Sequence, residues 1–277
     1  MSKLRIGFSP CPNDTFIFDA LIHGKIDTEG LEFDLYMEDI EELNKMAIEG
    51  VLDVTKLSYH AFMHVLDGYV MLDSGSALGN NCGPLLIKNK GQINPQENDL
   101  IAIPGYYTTA NFLLSYAFPK LIMRREMLFS NIEKALETKQ VSAGLIIHEN
   151  RFTYNDRGFE KVKDLGAYWE QTTGMPIPLG GIATKRSLDL VLQEKLERLI
   201  RKSIEFAFEN PTESLSFVKE HAQEIDAKVM QKHIDLYVND YSLSLGEKGK
   251  SAVIKMYNFS VDNHLIRACN KDLFLHK

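Results

Sequence analysis

Cysteine is scarce in this chain, cations do not outnumber anions, and no long apolar run occurs. The three cysteines, Cys11, Cys82 and Cys269, are odd in number and unrelated in spacing, so neither a fully paired disulfide framework nor a C-x-x-C metal or redox pair is available. A reducing compartment suits them. Lys and Arg total 31 against 38 Asp and Glu, a formal net charge of −7, and the basic residues are scattered. That distribution lacks the cationic stripe by which nucleic acid is held. No segment approaches the ~18 consecutive apolar residues of a membrane span. Met1 to Pro10 passes into a strand-like run without the roughly 7 to 15 residue apolar core of an export signal. Gly75, Gly79 and Gly83 fit neither dinucleotide nor P-loop spacing. The expectations are a cytoplasmic protein with no nucleic-acid partner, no membrane partner and no cofactor.

What is present is an ordinary globular composition, 44% hydrophobic and 25% charged, which excludes disorder and fibrous repeats. At about 100 to 200 residues per domain, a chain of 277 residues favours two domains. Short apolar runs alternate with segments of helical period, the mark of α/β layering. Strands are expected at Leu4 to Ser9, Leu31 to Met37, up to Leu57, Tyr69 to Asp73, Pro84 to Lys88, Leu100 to Pro104, Leu121 to Arg125, Ala143 to Ile147 and Gly180 to Lys185. Between them, Asn13 can cap a helix that Gly24 ends, and Asp39 with Glu42 has capping-box spacing, as does Ser130 with Glu133. Thr108 or Thr109 can cap a helix reaching Phe118. Leu188 to Phe208 carries one apolar helical stripe, Asn210-Pro211 starts the next helix, and most of the remaining chain reads as helical.

Setting Leu43 against Ile132 places Asp53 on Ser142 and Tyr59 on His148, so a capped helix, a strand and polar groups past its end recur without sequence identity. The expected fold is a two-lobed α/β protein, each lobe a mixed sheet flanked by helices, with a helical C-terminal tail. The larger lobe would comprise residues 1–88 and 178–277, the smaller residues 89–177, with a cleft between them. Ligands of open α/β sheets sit at the carboxyl ends of strands, which points to Ser9, Ser58 and His148.

His148 ends the apolar run Gly144 to Ile147 and delivers an imidazole to a loop, where it is either a base working near neutral pH or a hydrogen-bonded strand-end residue. Gly105-Tyr106-Tyr107-Thr108-Thr109-Ala110 runs a glycine loop into a helix, which can hold a carboxylate or simply cap the helix. Thr55-Lys56-Leu57-Ser58 offers a cation, main-chain amides and a hydroxyl for an anionic substrate, or a surface lysine and a turn serine. In Ser9-Pro10-Cys11-Pro12-Asn13-Asp14, two prolines stiffen the first turn, making Ser9 and Asn13 candidate substrate contacts. Cys11 is better read as a small buried residue than as a nucleophile. His60 and His64 share metal-site spacing, but the glutamate of H-E-x-x-H and a third ligand are missing, so no metal is expected. Asn80 and Asn81 suit substrate contact or left-handed turns equally, and Met175 to Gly181 suits a hinge.

Ser9-Pro10-Cys11-Pro12-Asn13-Asp14-Thr15-Phe16, Lys56 to Ser58, Gly105 to Ala110 and Ile147-His148-Glu149-Asn150-Arg151 together resemble the 1,4-dihydroxy-6-naphthoate synthases of the futalosine route to menaquinone. The likeness extends from Ile6 into the helical tail. It implies a fold like the type II periplasmic binding proteins and a carbon-carbon lyase acting without metal or cofactor on a small carboxylate, cyclic dehypoxanthinylfutalosine. By the same resemblance His148 is the proton acceptor, Thr108 and Thr109 bind substrate, and Lys56, Leu57 and Ser58 form a second substrate-binding stretch. The competing readings are chorismate dehydratase, which shares the fold but is not expected to carry the first motif, and a non-catalytic carboxylate-binding protein. The 11 tyrosines and 15 phenylalanines can fill cores or a homodimer interface, and sequence leaves these open.

Overall fold

The computed structural model describes residues 3–222 and 226–276, with His148 and Glu149 described by their backbone alone. Strands follow in chain order as β1 (Leu4–Phe8), β2 (Phe33–Met37), β3 (Val54–Ser58), β4 (Tyr69–Met71), β5 (Ala77–Gly79), β6 (Leu85–Asn89), β7 (Ile101–Ile103), β8 (Arg124–Glu126), β9 (Ala143–Ile146), β10 (Phe159–Asp164) and β11 (Ile177–Lys185). Two compact units result. One contains Met1–Gly79 and Pro178–Lys277, the other Asn80–Ile177. The strand expected from Pro84 pairs within the second unit.

Each unit holds one mixed sheet, ordered β2-β1-β3-β11-β4 in the first, with β5 beside β11, and β10-β6-β9-β7-β8 in the second. Read from the opposite edge, the second order matches the first strand for strand. In both, a central strand has parallel neighbours on either side, and an antiparallel return strand follows. The registers agree as well. The Asp53 amide bonds the Arg5 carbonyl where β3 enters beside β1, and the Ser142 amide bonds the Leu100 carbonyl where β9 enters beside β7. These are the positions that the Leu43-to-Ile132 alignment superposes, so Tyr59 and His148 follow topologically equivalent strands.

The core of the first unit is Ile6, Phe8, Phe16, Ile17 and Leu21 packed on Leu196, Leu199, Ile200 and Ile204. The last four lie on one stripe of the helix Leu190–Glu209, which Asp189 caps. Leu85, Ile87, Ile132, Leu136, Ile146 and Phe159 form the core of the second. No helix among the described residues is long and apolar enough to cross a membrane.

Several expected helix starts shift for physical reasons. Cys11, not Asn13, precedes the first helix (Pro12–Ile22), because Pro12 fits the first helical position, where its missing N–H has no partner to lose. Ser130 falls in a 3₁₀ turn (Phe129–Asn131), so it cannot cap the helix Ile132–Glu137. The helix begun at Tyr59 closes at Phe62, which leaves His64 in the following turn. Asn210-Pro211 enters a turn, and the next helix (Leu215–His221) begins after Ser214. Asp39 and Thr108 do cap their helices, Ile40–Ile48 and Thr109–Ala117.

Gly83 and Gly166 bring two main-chain segments of the second unit into contact. A Cβ on Gly83 would stand 2.3 Å from the Gly166 Cα, and backbone cannot yield as a side-chain tip can. Gly83→Ala should therefore lower stability by about 1–3 kcal/mol. The fluorescence of Trp169, the single tryptophan and a buried residue of the same unit, reports this as a shift of the urea midpoint; an unchanged midpoint would show that the segments separate freely.

Candidate active site

At the carboxyl ends of β1 and β3 the first unit buries a charged cluster. Alternation along β3 places Lys56 and Ser58 on one face, and Asp14 sits in the first turn of the helix Pro12–Ile22, where the helix dipole favours an acid. Lys56 Nζ donates to Asp14 Oδ1 at 2.7 Å and to the Gly75 carbonyl at 3.2 Å. Asn13 Nδ2 donates to the same carboxylate oxygen at 2.7 Å. Ser9 donates to Asp14 Oδ2 through its hydroxyl at 2.7 Å and its amide at 3.2 Å. Asp14 is 1% exposed and Lys56 4%, so this pair is part of the interior and not a surface contact. The structure thus joins Ser9, Asn13 and Lys56 through a residue that motif reading left without a role.

Ser58 is held differently. Its amide donates to Asn44 Oδ1 at 2.9 Å, and Asn44 Nδ2 donates back to its hydroxyl at 3.2 Å and to Glu41 Oε2 at 3.0 Å. The side chain of Leu57 is fully buried, so it can meet a ligand only through its main chain. Asn44 and His233, like Asp14, went unmarked in the sequence, since the bonds that tie them to the candidate residues Ser58, Asn13 and Lys56 span 14, 220 and 42 residues.

In the second unit Thr108 is committed as a cap: its hydroxyl donates to the Gly105 carbonyl at 2.8 Å and accepts from the Asn111 amide at 3.3 Å. Thr109 is buried beside it. Arg124 braces this turn by donating to Asn111 Oδ1 at 2.7 Å, while Asn111 Nδ2 donates to the Tyr106 carbonyl at 2.9 Å.

His148 opens the 3₁₀ helix His148–Phe152 directly after β9; its side chain, and that of Glu149, lie outside the described residues. The segment that follows is anchored from three sides. Asn150 Nδ2 and Arg157 Nη1 donate to the two oxygens of Glu133 at 3.1 and 2.9 Å, and Arg151 Nη1 donates to the Gly83 carbonyl at 2.8 Å. Glu133 therefore secures the His148 segment and does not close a capping box.

His60 and His64 stack edge to face with ring centroids 4.9 Å apart, and among the described residues no three His, Cys, Asp or Glu gather as metal ligands. Burial pushes the Cys82 thiol up to about 12, which holds it as a poor nucleophile. Asn81 is a left-handed turn residue with φ of 56°, its amide bonded to Glu170.

A family model described as menaquinone biosynthesis matches residues 4–261. The chain belongs to that family. It is 44% identical over 257 residues, 93% of each chain, to a 1,4-dihydroxy-6-naphthoate synthase of Thermus thermophilus. A crystal structure of an Archaeoglobus fulgidus protein superposes with a TM-score of 0.90 at 37% identity, over 95% of this chain and 98% of that one. The ligand-binding component of a Staphylococcus aureus ABC-type import system superposes with a TM-score of 0.70 at 14% identity, over 99% of this chain and 96% of that one. That last likeness shows the fold alone, a periplasmic-binding-protein-like α/β architecture with two mixed sheets and C-terminal helices.

Within this member of the menaquinone biosynthesis family, Glu197 supports the turn whose carbonyl Lys56 engages. Its oxygens accept from the Asp73 and Ser74 amides at 2.6 and 2.9 Å, next to Gly75. Burial pushes its carboxyl above the usual range, against the opposing pull of those hydrogen bonds. The folded state then binds the proton more tightly than the unfolded chain, so this residue's contribution to stability falls as pH rises from the ordinary glutamate range to the raised value. Glu197→Gln should remove that slope: urea unfolding of the variant should gain on the parent as pH rises through this interval, and a pH-independent difference would refute the assignment.

Proposed function

We infer that this chain is a 1,4-dihydroxy-6-naphthoate synthase, a lyase that converts cyclic dehypoxanthinylfutalosine to 1,4-dihydroxy-6-naphthoate with release of dihydroxyacetone, in the cytoplasm and without a cofactor. The observation that carries the reading is 44% identity to the Thermus thermophilus enzyme of that name across 93% of both chains. The candidate residues supply what such a substrate requires. Its aromatic carboxylate needs fixed donors, and the side chains of Lys56 and Ser58 with the main chain of Leu57 offer them, as does the helix start at Thr108 and Thr109. Its ribose-derived portion needs a base to start carbon-carbon cleavage.

His148 is that base. An imidazole, with an unperturbed pKa near neutrality, accepts a proton at working pH and returns it later. It removes a hydroxyl proton from the spiro-fused sugar, a retro-aldol step breaks the carbon-carbon bond and expels the three-carbon fragment, and aromatisation of the second ring drives the product forward. No atom is gained or lost overall. Glu133, Arg151 and Asn150 support the reading by anchoring the residues just past His148, since a base acts only when held in place.

His148→Ala should lower kcat by roughly 10²–10⁴-fold, the usual contribution of a general base, while substrate affinity stays close to that of the parent. Naphthoate absorbance with purified protein follows the first quantity and calorimetric titration the second. Offering chorismate in parallel distinguishes the dehydratase, and affinity for substrate with no product from either compound would leave a binding protein.

A further inference from the structure

We propose that Asp14 is a positioning residue of this reaction, which holds the Lys56 ammonium aimed so that its one uncommitted N–H meets the substrate. The proposal rests on the reading above that Lys56 contacts substrate. It starts from a count of donors and acceptors. A carboxylate accepts through about four lone-pair sites, and Asp14 fills them with Lys56 Nζ, Asn13 Nδ2, the Ser9 hydroxyl and the Ser9 amide. It has nothing left for a ligand, so it acts through its neighbours and not on substrate.

Lys56 is in the opposite position. An ammonium has three donors, and two are taken, by Asp14 Oδ1 at 2.7 Å and the Gly75 carbonyl at 3.2 Å; no other bond to Nζ is found among the described residues. The third N–H is fixed in direction by the other two. Alternation along β3 puts the Lys56 side chain on the face that also carries Ser58. A lysine on a flexible stem is ordinarily a poorly aimed donor, and here the aim is supplied by Asp14 and a main-chain carbonyl.

Asp14 is itself secured from a distance. Asn13 Nδ2 faces the carboxylate, so its carbonyl oxygen must face the other way, where His233 Nε2 lies 2.8 Å off. That oxygen only accepts, so Nε2 carries the hydrogen. His233 is wholly buried and belongs to the helix Ala227–Tyr237. A chain of hydrogen bonds thus runs from a C-terminal helix through Asn13 and Asp14 to the cation on β3.

Asp14→Asn tests this. A neutral amide holds the ammonium less firmly than a carboxylate does, so Lys56 loses its aim and KM for the carboxylate substrate should rise about tenfold, as for one lost charge-assisted hydrogen bond. kcat at saturating substrate should change far less. A folded variant whose KM matches the parent's overturns the proposal, as does a uniform loss of kcat that tracks lowered thermal stability. Should Asp14→Asn not fold, Asn13→Ala removes one of the four donors and the His233 acceptor while keeping the ion pair; its KM should rise in the same direction by a smaller factor, and an unchanged KM overturns the proposal equally. Turnover by the parent separates the two levels: a parent that makes no naphthoate sinks the functional reading and this inference with it, whereas an active parent with an indifferent Asp14→Asn sinks this inference alone.

Discussion

Burying a carboxylate against an ammonium costs several kcal/mol per ion in lost hydration, and the Asp14–Lys56 pair offsets this because the carboxylate is hydrogen-bonded on its remaining sides and the ammonium has a second acceptor in the Gly75 carbonyl. Those extra bonds come from β1, from the first helix, from the turn at Gly75 and, through Asn13, from the helix that carries His233. Residues near both ends of the chain are therefore required to satisfy one ion pair. The arrangement constrains β1 and β3 at their carboxyl ends, where an open α/β sheet presents its ligand groups, and Glu197 holds the neighbouring turn through the Asp73 and Ser74 amides.

The two units solve one architectural problem twice. Both set a parallel triplet of strands beside an antiparallel return strand, and in both the loop after the first strand of the triplet runs into the N-terminus of a helix. The chemistry placed on these equivalent loops differs. The first unit puts its charged pair there, whereas the second uses neutral groups, with Thr108 turned inward to cap its own helix. A shared fold with import-system binding proteins at 14% identity accounts for the frame and not for these choices, which belong to side chains.

Legibility of the sequence followed the range of each interaction. Nine of the eleven strands among the described residues could be read to within a few residues because apolar runs and turn residues are local signals, whereas β5 and β10 went unread, and the caps at Asp39 and Thr108 were readable because each side chain bonds its own helix. Ser130 with Glu133 has the same spacing but fails, since a 3₁₀ turn intervenes and Arg157 and Asn150 take the glutamate. Asn13 was misplaced for a related reason: Pro12 opens the helix, which frees the asparagine amide to link Asp14 with His233. Asp14 itself was in plain view within a motif, yet its partner stands 42 residues away, and no periodicity encodes that pairing.

Tyr59 and His148 stand at equivalent places of one topology and differ in chemistry. Both residues follow the strand that pairs in parallel with the central strand of its triplet. Tyr59 is fully buried, its hydroxyl 2.7 Å from the Ser76 hydroxyl, and burial pushes its phenol well above the usual range, so it serves as a fixed neutral strut. At the equivalent position the second unit places an imidazole on a short 3₁₀ helix, fastened just beyond it by Glu133 and the Gly83 carbonyl. A group that must exchange protons cannot be sealed into a core as Tyr59 is, but it still needs a rigid support. The bonds of Asn150, Arg151 and Arg157 supply that support to the residues just past His148, which is what the role proposed for it requires of its backbone.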